Sequence, residues 1–191
     1  MAIPPIIVVA GLGRCGSTLM MRMLHAGGMD VFCENKTDFE TELIFTLPDN
    51  NAWLGLCTGK ALKLLDPHEN LPSPSFDYRF IWMDRNPREQ AKSQMKLLSA
   101  SMGIAPVNRR HARAMEASLR KEARTAHRIC TAFGPTISIR FEDLLRHPRL
   151  TAKYVAEFLT RPLDIDAMAR QVIDRPVTCL PYMLEEQMVS P

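Results

Sequence analysis

The sequence predicts an α/β fold, a three-layer sandwich with a mostly parallel central sheet and helices on both faces. Three observations predict it. The run Ile6-Ile7-Val8-Val9-Ala10 is short, apolar and largely β-branched, as suits a strand covered on both faces. Further strand-like runs, at Ala61–Leu65, from Tyr78 and at Thr136–Phe141, are separated by helical patterns. The first strand also passes directly into Gly11-Leu12-Gly13-Arg14-Cys15-Gly16-Ser17-Thr18, a glycine-rich turn that opens a helix in the manner of a P-loop.

A length of 191 residues suits one compact domain, residues 1–191. Hydrophobic content of 46% and charged content of 24% are ordinary for a globular protein with a real core. The net charge of +3 is too small to imply nucleic acid. The start, Met1-Ala2-Ile3-Pro4-Pro5, lacks the basic, then apolar, pattern of a signal peptide, and no apolar run approaches a membrane span of roughly 20 residues. A cytoplasmic location is expected. The five cysteines (Cys15, Cys33, Cys57, Cys130 and Cys179) are scattered and odd in number, which favours reduced thiols. Neither they nor the five histidines form a metal-like pair, so no metal is expected.

The glycine-rich loop is the first candidate site. Gly11, Gly13 and Gly16 let backbone amides converge, and Ser17-Thr18 stands where a helix begins with its N–H groups unpaired. Dipole and donors together favour an anion. The spacing is nearly that of a Walker A loop, but position 17 is serine where an NTPase carries lysine, and the cation is Arg14. A phosphate or sulfate site is the expectation.

Thr18–His25 should be helical, stopped at Gly27-Gly28, with Leu19, Met20, Met23 and Leu24 as its apolar stripe. Met29–Cys33 reads as a short second strand. Glu34, Asp38, Glu40 and Glu42 then gather four carboxylates, most of them expected in a solvated acidic turn and helix start, with one expected just beyond a strand end, close to the anion loop. Asp49–Pro74 is proline-rich and irregular, a binding surface more than a linker. Within it, Lys60 and Lys63 either face an anionic ligand or flank a strand at the surface.

The strand from Tyr78 leads into the turn Asp84-Arg85-Asn86-Pro87, and Pro87 suits the first turn of a helix reaching about Ser101. Arg85 at a strand's carboxyl end and Ser93 eight residues later can clamp a second anionic group. Open α/β sheets bind ligands at that edge, where the glycine loop also opens. Two anion sites on one edge point to a ligand phosphorylated at two places.

Asn108–Phe133 reads as one long helix with an apolar stripe of Ala112, Met115, Leu119, Ala123, Ala126, Cys130 and Phe133. Its other face carries Arg109, Arg110, Arg113, Arg120, Lys121, Arg124 and Arg128 against Glu116 and Glu122. That face is either solvated or attracts an anionic acceptor or nucleotide. No aromatics interleave the cations, so nucleic acid is not expected. Helices are predicted at Leu150–Leu159 and Asp164–Ile173. The tail Pro176–Pro191 is expected to cross the body or to pair with another subunit as a homodimer.

The loop Arg14-Cys15-Gly16-Ser17-Thr18-Leu19-Met20, the turn Arg85-Asn86-Pro87 with Ser93, and Arg140-Phe141-Glu142-Asp143-Leu144-Leu145 resemble the P-loop sulfotransferase superfamily. The resemblance is to the branch holding bacterial and tyrosylprotein sulfotransferases, with its R-S-G-T-T-L-M loop, its R-N-P turn with serine eight residues on, and its R-Y-E-D-L strand end. It covers roughly Ile6 to Phe158.

That resemblance implies a donor, 3′-phosphoadenosine 5′-phosphosulfate (PAPS), with PAP as the product, and no metal. Gly13, Arg14, Cys15, Gly16, Ser17 and Thr18 would hold the 5′-phosphosulfate, and Arg85 and Ser93 the 3′-phosphate. Arg14 would stabilise the leaving phosphate. Glu34 matches the glutamate that serves this branch as general base, within Phe32-Cys33-Glu34-Asn35-Lys36-Thr37 where the branch has C-G-E-E-T-R; Glu40 and Glu42 are its rivals. The acceptor, a hydroxyl or amine, is not identified. Two other readings fit fewer of these residues. One is a P-loop kinase or NTPase using Asp84 and Mg²⁺; the other is a nucleotide-binding protein without catalysis.

Overall fold

The computed structural model describes residues 3–33, 39, 52–70, 73–102, 109–173 and 178. Among these, four strands form one sheet: β1 (Ile6–Gly11), β2 (Ala61–Leu65), β3 (Tyr78–Asp84) and β4 (Thr136–Arg140). All pairings are parallel, and the spatial order is β2-β1-β3-β4. The helices are α1 (Ser17–Ala26), α2 (Ala52–Gly55), α3 (Pro87–Met102), α4 (Arg109–Phe133), α5 (Phe141–Arg146), α6 (Pro148–Leu159) and α7 (Ile165–Arg170).

The alternation of β1 explains the three layers. Ile7 and Val9 enter a core with Met20, Met23 and Leu24 of α1, Val155 and Leu159 of α6, and Met168 of α7. Ile6, Val8 and Ala10 enter the opposite core with Ala91 of α3 and Leu119, Ala126 and Cys130 of α4. Every β1 residue is buried, and each fully buried Ile or Val contributes roughly 1.5–3 kcal/mol. The register sets Gly11 against Leu65 on one side and Met83 on the other, and Asp84 against Arg140. The four carboxyl ends therefore form one edge, the edge on which the glycine loop opens.

Four sequence expectations are corrected. Met29–Cys33 makes only a single bridge, Val31 to Ala61, in place of a strand. Val31 and Cys33 do turn to one core and Phe32 to the other, but the ladder extends no further. The fourth strand stops at Arg140, and Phe141 opens α5, whose first turn holds Glu142 and Asp143 where the helix dipole favours carboxylates. α6 begins earlier than expected, with Pro148 in its first turn. α7 is shorter than expected and is capped by Asp164, whose Oδ1 accepts from the Ala167 N–H at 2.8 Å.

Candidate anion-binding active site

The loop between β1 and α1 is shaped by two steric demands. A Cβ on Gly11 would lie 2.5 Å from Cys15 Sγ and 2.9 Å from the Met83 carbonyl oxygen. One on Gly16 would collide with the Phe141 ring, and Gly16 also has φ 103°, which only glycine adopts freely. Arg14 is left-handed as well, at φ 67°. No side chain caps the N-terminus of α1 and no acidic residue lies in its first turn. The positive end of the helix is thus left for an anion from outside the chain.

The two anion sites expected from the sequence meet as one cluster. Arg14 Nε donates to Ser93 Oγ at 3.1 Å. Arg85 Nη1 donates to the Arg14 carbonyl at 2.8 Å, and its guanidinium lies 4.7 Å from the centre of the Phe141 ring. Ser93 is buried on α3, one turn beyond Gln90. Gln90 Nε2 donates to the carbonyls of Gly13 (2.8 Å) and Leu12 (3.3 Å). Those two carbonyls are thereby held toward α3.

The third motif binds the first two together. Phe141 lies against both Gly16 and Arg85. Glu142, buried at 6% exposure, accepts the Asn86 N–H on Oε1 at 2.9 Å. Asn86 in turn accepts from the Arg88 N–H at 3.0 Å, at the start of α3. Sequence reasoning quoted Glu142 as part of a motif but gave it no task. Its task here is to fix the turn that carries Arg85.

The end of β2 adds two charged groups. Lys63 is 4% exposed, and its Nζ reaches Thr18 Oγ1 at 3.4 Å. Of the two readings offered for the lysines, the surface one fails for buried Lys63, whereas Lys60 lies 6.0 Å from the Phe32 ring. Asp66, which sequence reasoning missed, follows β2 directly with φ 50°. Its N–H donates to the Gly11 carbonyl at 3.0 Å, and the Gly13 backbone amide acts on its carboxyl to favour the charged form. The available signal was its position, the first residue past a strand's carboxyl end.

Burial raises the Asp66 carboxyl above its ordinary value, opposed by the Gly13 hydrogen bond and by His68. Burial likewise raises the Cys15 thiol, which therefore stays protonated and acts as a small apolar filler beneath the loop. Asp84 at the end of β3 is raised by partial burial, with Glu142 adding to the shift and Arg140 and His127 opposing it. The expected binding residues Gly13, Arg14, Cys15, Gly16, Ser17, Thr18, Arg85 and Ser93 all fall on this edge. Glu34, Glu40 and Glu42 lie outside the described residues. No helix among the described residues is long and apolar enough to cross a membrane.

No family model matches the sequence, and no curated protein matches it. The fold does have solved counterparts. It is similar to sulfotransferase STF9 from Mycobacterium avium, with a TM-score of 0.63 at 14% identity, over 98% of this chain and 75% of that one. It is similar to mouse sulfotransferase SULT7A1 complexed with PAP, with a TM-score of 0.59 at 11% identity, over 90% of this chain and 64% of that one. A sulfotransferase domain from the curacin biosynthetic pathway gives 0.54 at 16% identity, over 97% and 87% of the two chains. The α/β architecture is thus a sulfotransferase fold.

Proposed function

We propose that this chain is a PAPS-dependent sulfotransferase that moves a sulfuryl group to a hydroxyl or amine. The observation that carries the reading is the joining of Arg14, Ser93 and Arg85 beside an uncapped helix N-terminus. That cluster fits a nucleotide bearing two separate phosphate groups. The loop amides from Gly13 to Thr18 would hold the 5′ end; Arg85 and Ser93 would hold the 3′-phosphate. PAPS supplies the activated sulfuryl group when bound. Arg14 neutralises charge on the phosphate oxygen released by the transfer, an interaction that strengthens as the bond opens. The acceptor's proton goes to a carboxylate; Glu34 is the candidate of the motif likeness alone and lies outside the described residues. Sulfuryl transfer of this kind rests on positioning and charge stabilisation, as phosphoryl transfer does.

Calorimetry with PAP in the presence of a chelator, set beside ATP with Mg²⁺, tests the reading. Metal-free binding of PAP is expected. Binding of ATP–Mg²⁺ alone would overturn the reading in favour of a nucleotide kinase, and PAP binding without turnover over a broad acceptor panel in favour of a nucleotide-binding protein.

A further inference from the structure

We propose that Asp66 takes the proton from the acceptor, and that the acceptor docks over the carboxyl end of β2. The inference rests on the sulfotransferase reading and assigns the base within that site.

The sheet order supplies the direction. β1 carries the loop, β3 with its Arg85 lies on one side of it, and β2 lies on the other. A nucleoside held by Arg85 and Ser93 occupies the β3 side. The transferable end of a phosphosulfate is the end away from the nucleoside, so it faces β2. The acceptor must approach in line from there.

Asp66 is the carboxylate that the described residues place at that position. It follows Leu65, the residue paired with Gly11, and its N–H is bonded to the Gly11 carbonyl at 3.0 Å, which ties it to the start of the loop. Its left-handed backbone is held by the N–H groups of Glu69 (2.8 Å) and Asn70 (3.1 Å) on its own carbonyl. A strained backbone fixed from several sides marks a position that the surroundings over-determine. The same strand sends buried Lys63 to Thr18, so β2 delivers a cation and a carboxylate to one loop.

The charged and titratable groups that face Asp66 are His68 and Glu69 of its own turn, Glu122 of α4 and Cys15 of the loop. Burial already raises its carboxyl, and an anionic nucleotide in the loop raises it further, toward the range in which a carboxylate works as a base. The transfer then balances. The acceptor oxygen bonds to sulfur as the bridging sulfur–oxygen bond breaks, that bond's electron pair leaves on the phosphate oxygen, and the acceptor's proton passes to Asp66 and later to water.

Two measurements test the assignment. PAP binding is followed calorimetrically at mildly acidic pH in buffers of different ionisation enthalpy. Wild type is expected to take up protons on binding PAP. Asp66→Asn is expected to bind PAP at least as tightly with that uptake lost, to turn over about 10²-fold or more slowly, and to lose the acidic limb of its pH–rate profile. In ¹³C NMR of the wild type, the Asp66 carboxyl should titrate at higher pH once PAP is added. Unchanged proton uptake in Asp66→Asn, an Asp66 signal indifferent to PAP, or loss of the acidic limb in Glu34→Gln instead, overturns the assignment. Failure of wild type to bind PAP at all is a different result: it overturns the sulfotransferase reading, and this assignment with it.

Discussion

Arg14 and Ser93 stand 79 residues apart in the chain, yet Arg14 Nε lies 3.1 Å from Ser93 Oγ. One residue belongs to the glycine loop and the other to the helix after β3. The bond aims the guanidinium at a site that each element only borders. Arg14→Ala is expected to slow sulfuryl transfer at least tenfold, since a hydrogen bond to a charged group is worth roughly 1.5–3 kcal/mol. Ser93→Ala should lower PAP affinity about tenfold or more, because its hydroxyl pairs with the Arg14 guanidinium and is assigned to a phosphate, both charged partners. Steady-state kinetics and calorimetry on the two variants check this; an Arg14→Ala enzyme of full activity would remove the role assigned to it.

Glu142 acts at a distance from any ligand. Glu142→Ala removes the acceptor of the Asn86 N–H, a part-buried hydrogen bond worth roughly 0.5–1.5 kcal/mol. Its melting temperature and PAP affinity should fall together, because the turn it fixes carries Arg85. Glu142→Gln keeps a carbonyl acceptor and should recover most of both. Denaturant titration and calorimetry on the pair separate a positioning role from a charge effect.

Gly16 combines φ 103° with the Phe141 ring where a Cβ would stand. Gly16→Ala should destabilise by more than the roughly 1–2 kcal/mol that left-handed backbone alone costs an L-residue. Trimming the ring with Phe141→Leu should not rescue it, because the backbone term remains. Urea midpoints of the single and double variants decide the matter.

Asp84 gives a pH-dependent case. Its folded-state pKa is raised, chiefly by burial, so the folded protein holds that proton more tightly than the unfolded chain does. The cost is absent below the unfolded value of about 3.9 and grows as pH rises through the folded value. Asp84 is exposed at the strand end, so water screens much of that cost: Asp84→Asn should melt only slightly higher than wild type at neutral pH, with the gain vanishing toward pH ~3.9. Equal melting temperatures across that range would contradict it.

The strands, the long helices and the loop were legible because each depends on local pattern: β-branched runs, three- and four-residue apolar steps, glycine spacing. Arg14, Arg85 and Ser93 were legible as separate anion contacts. That they form a single cluster was not, since sequence separation says nothing of how β1 and β3 lie side by side. Lys63 reads equally as a ligand contact or as a surface lysine beside a strand, and only the pairing of β2 with β1, under α1, buries it and turns it to Thr18. Asp66 was invisible for a similar reason. An Asp-Pro pair after a strand is common turn chemistry, and its meaning depends on the Gly13 amide across the edge.

The length of α4 carries a last consequence. Ten residues of α4, Arg109 to Ser118, precede Leu119, the first buried residue of that helix, and span about 15 Å at 1.5 Å of rise per residue. Exposed Arg109, Arg110 and Arg113 stand on those turns. If an anionic ligand is drawn in by their field, the effect is confined to about 8 Å at physiological ionic strength. Capture should be quick in dilute buffer and slow in brine, while the grip of the shielded inner cluster, once closed on its guest, changes far less.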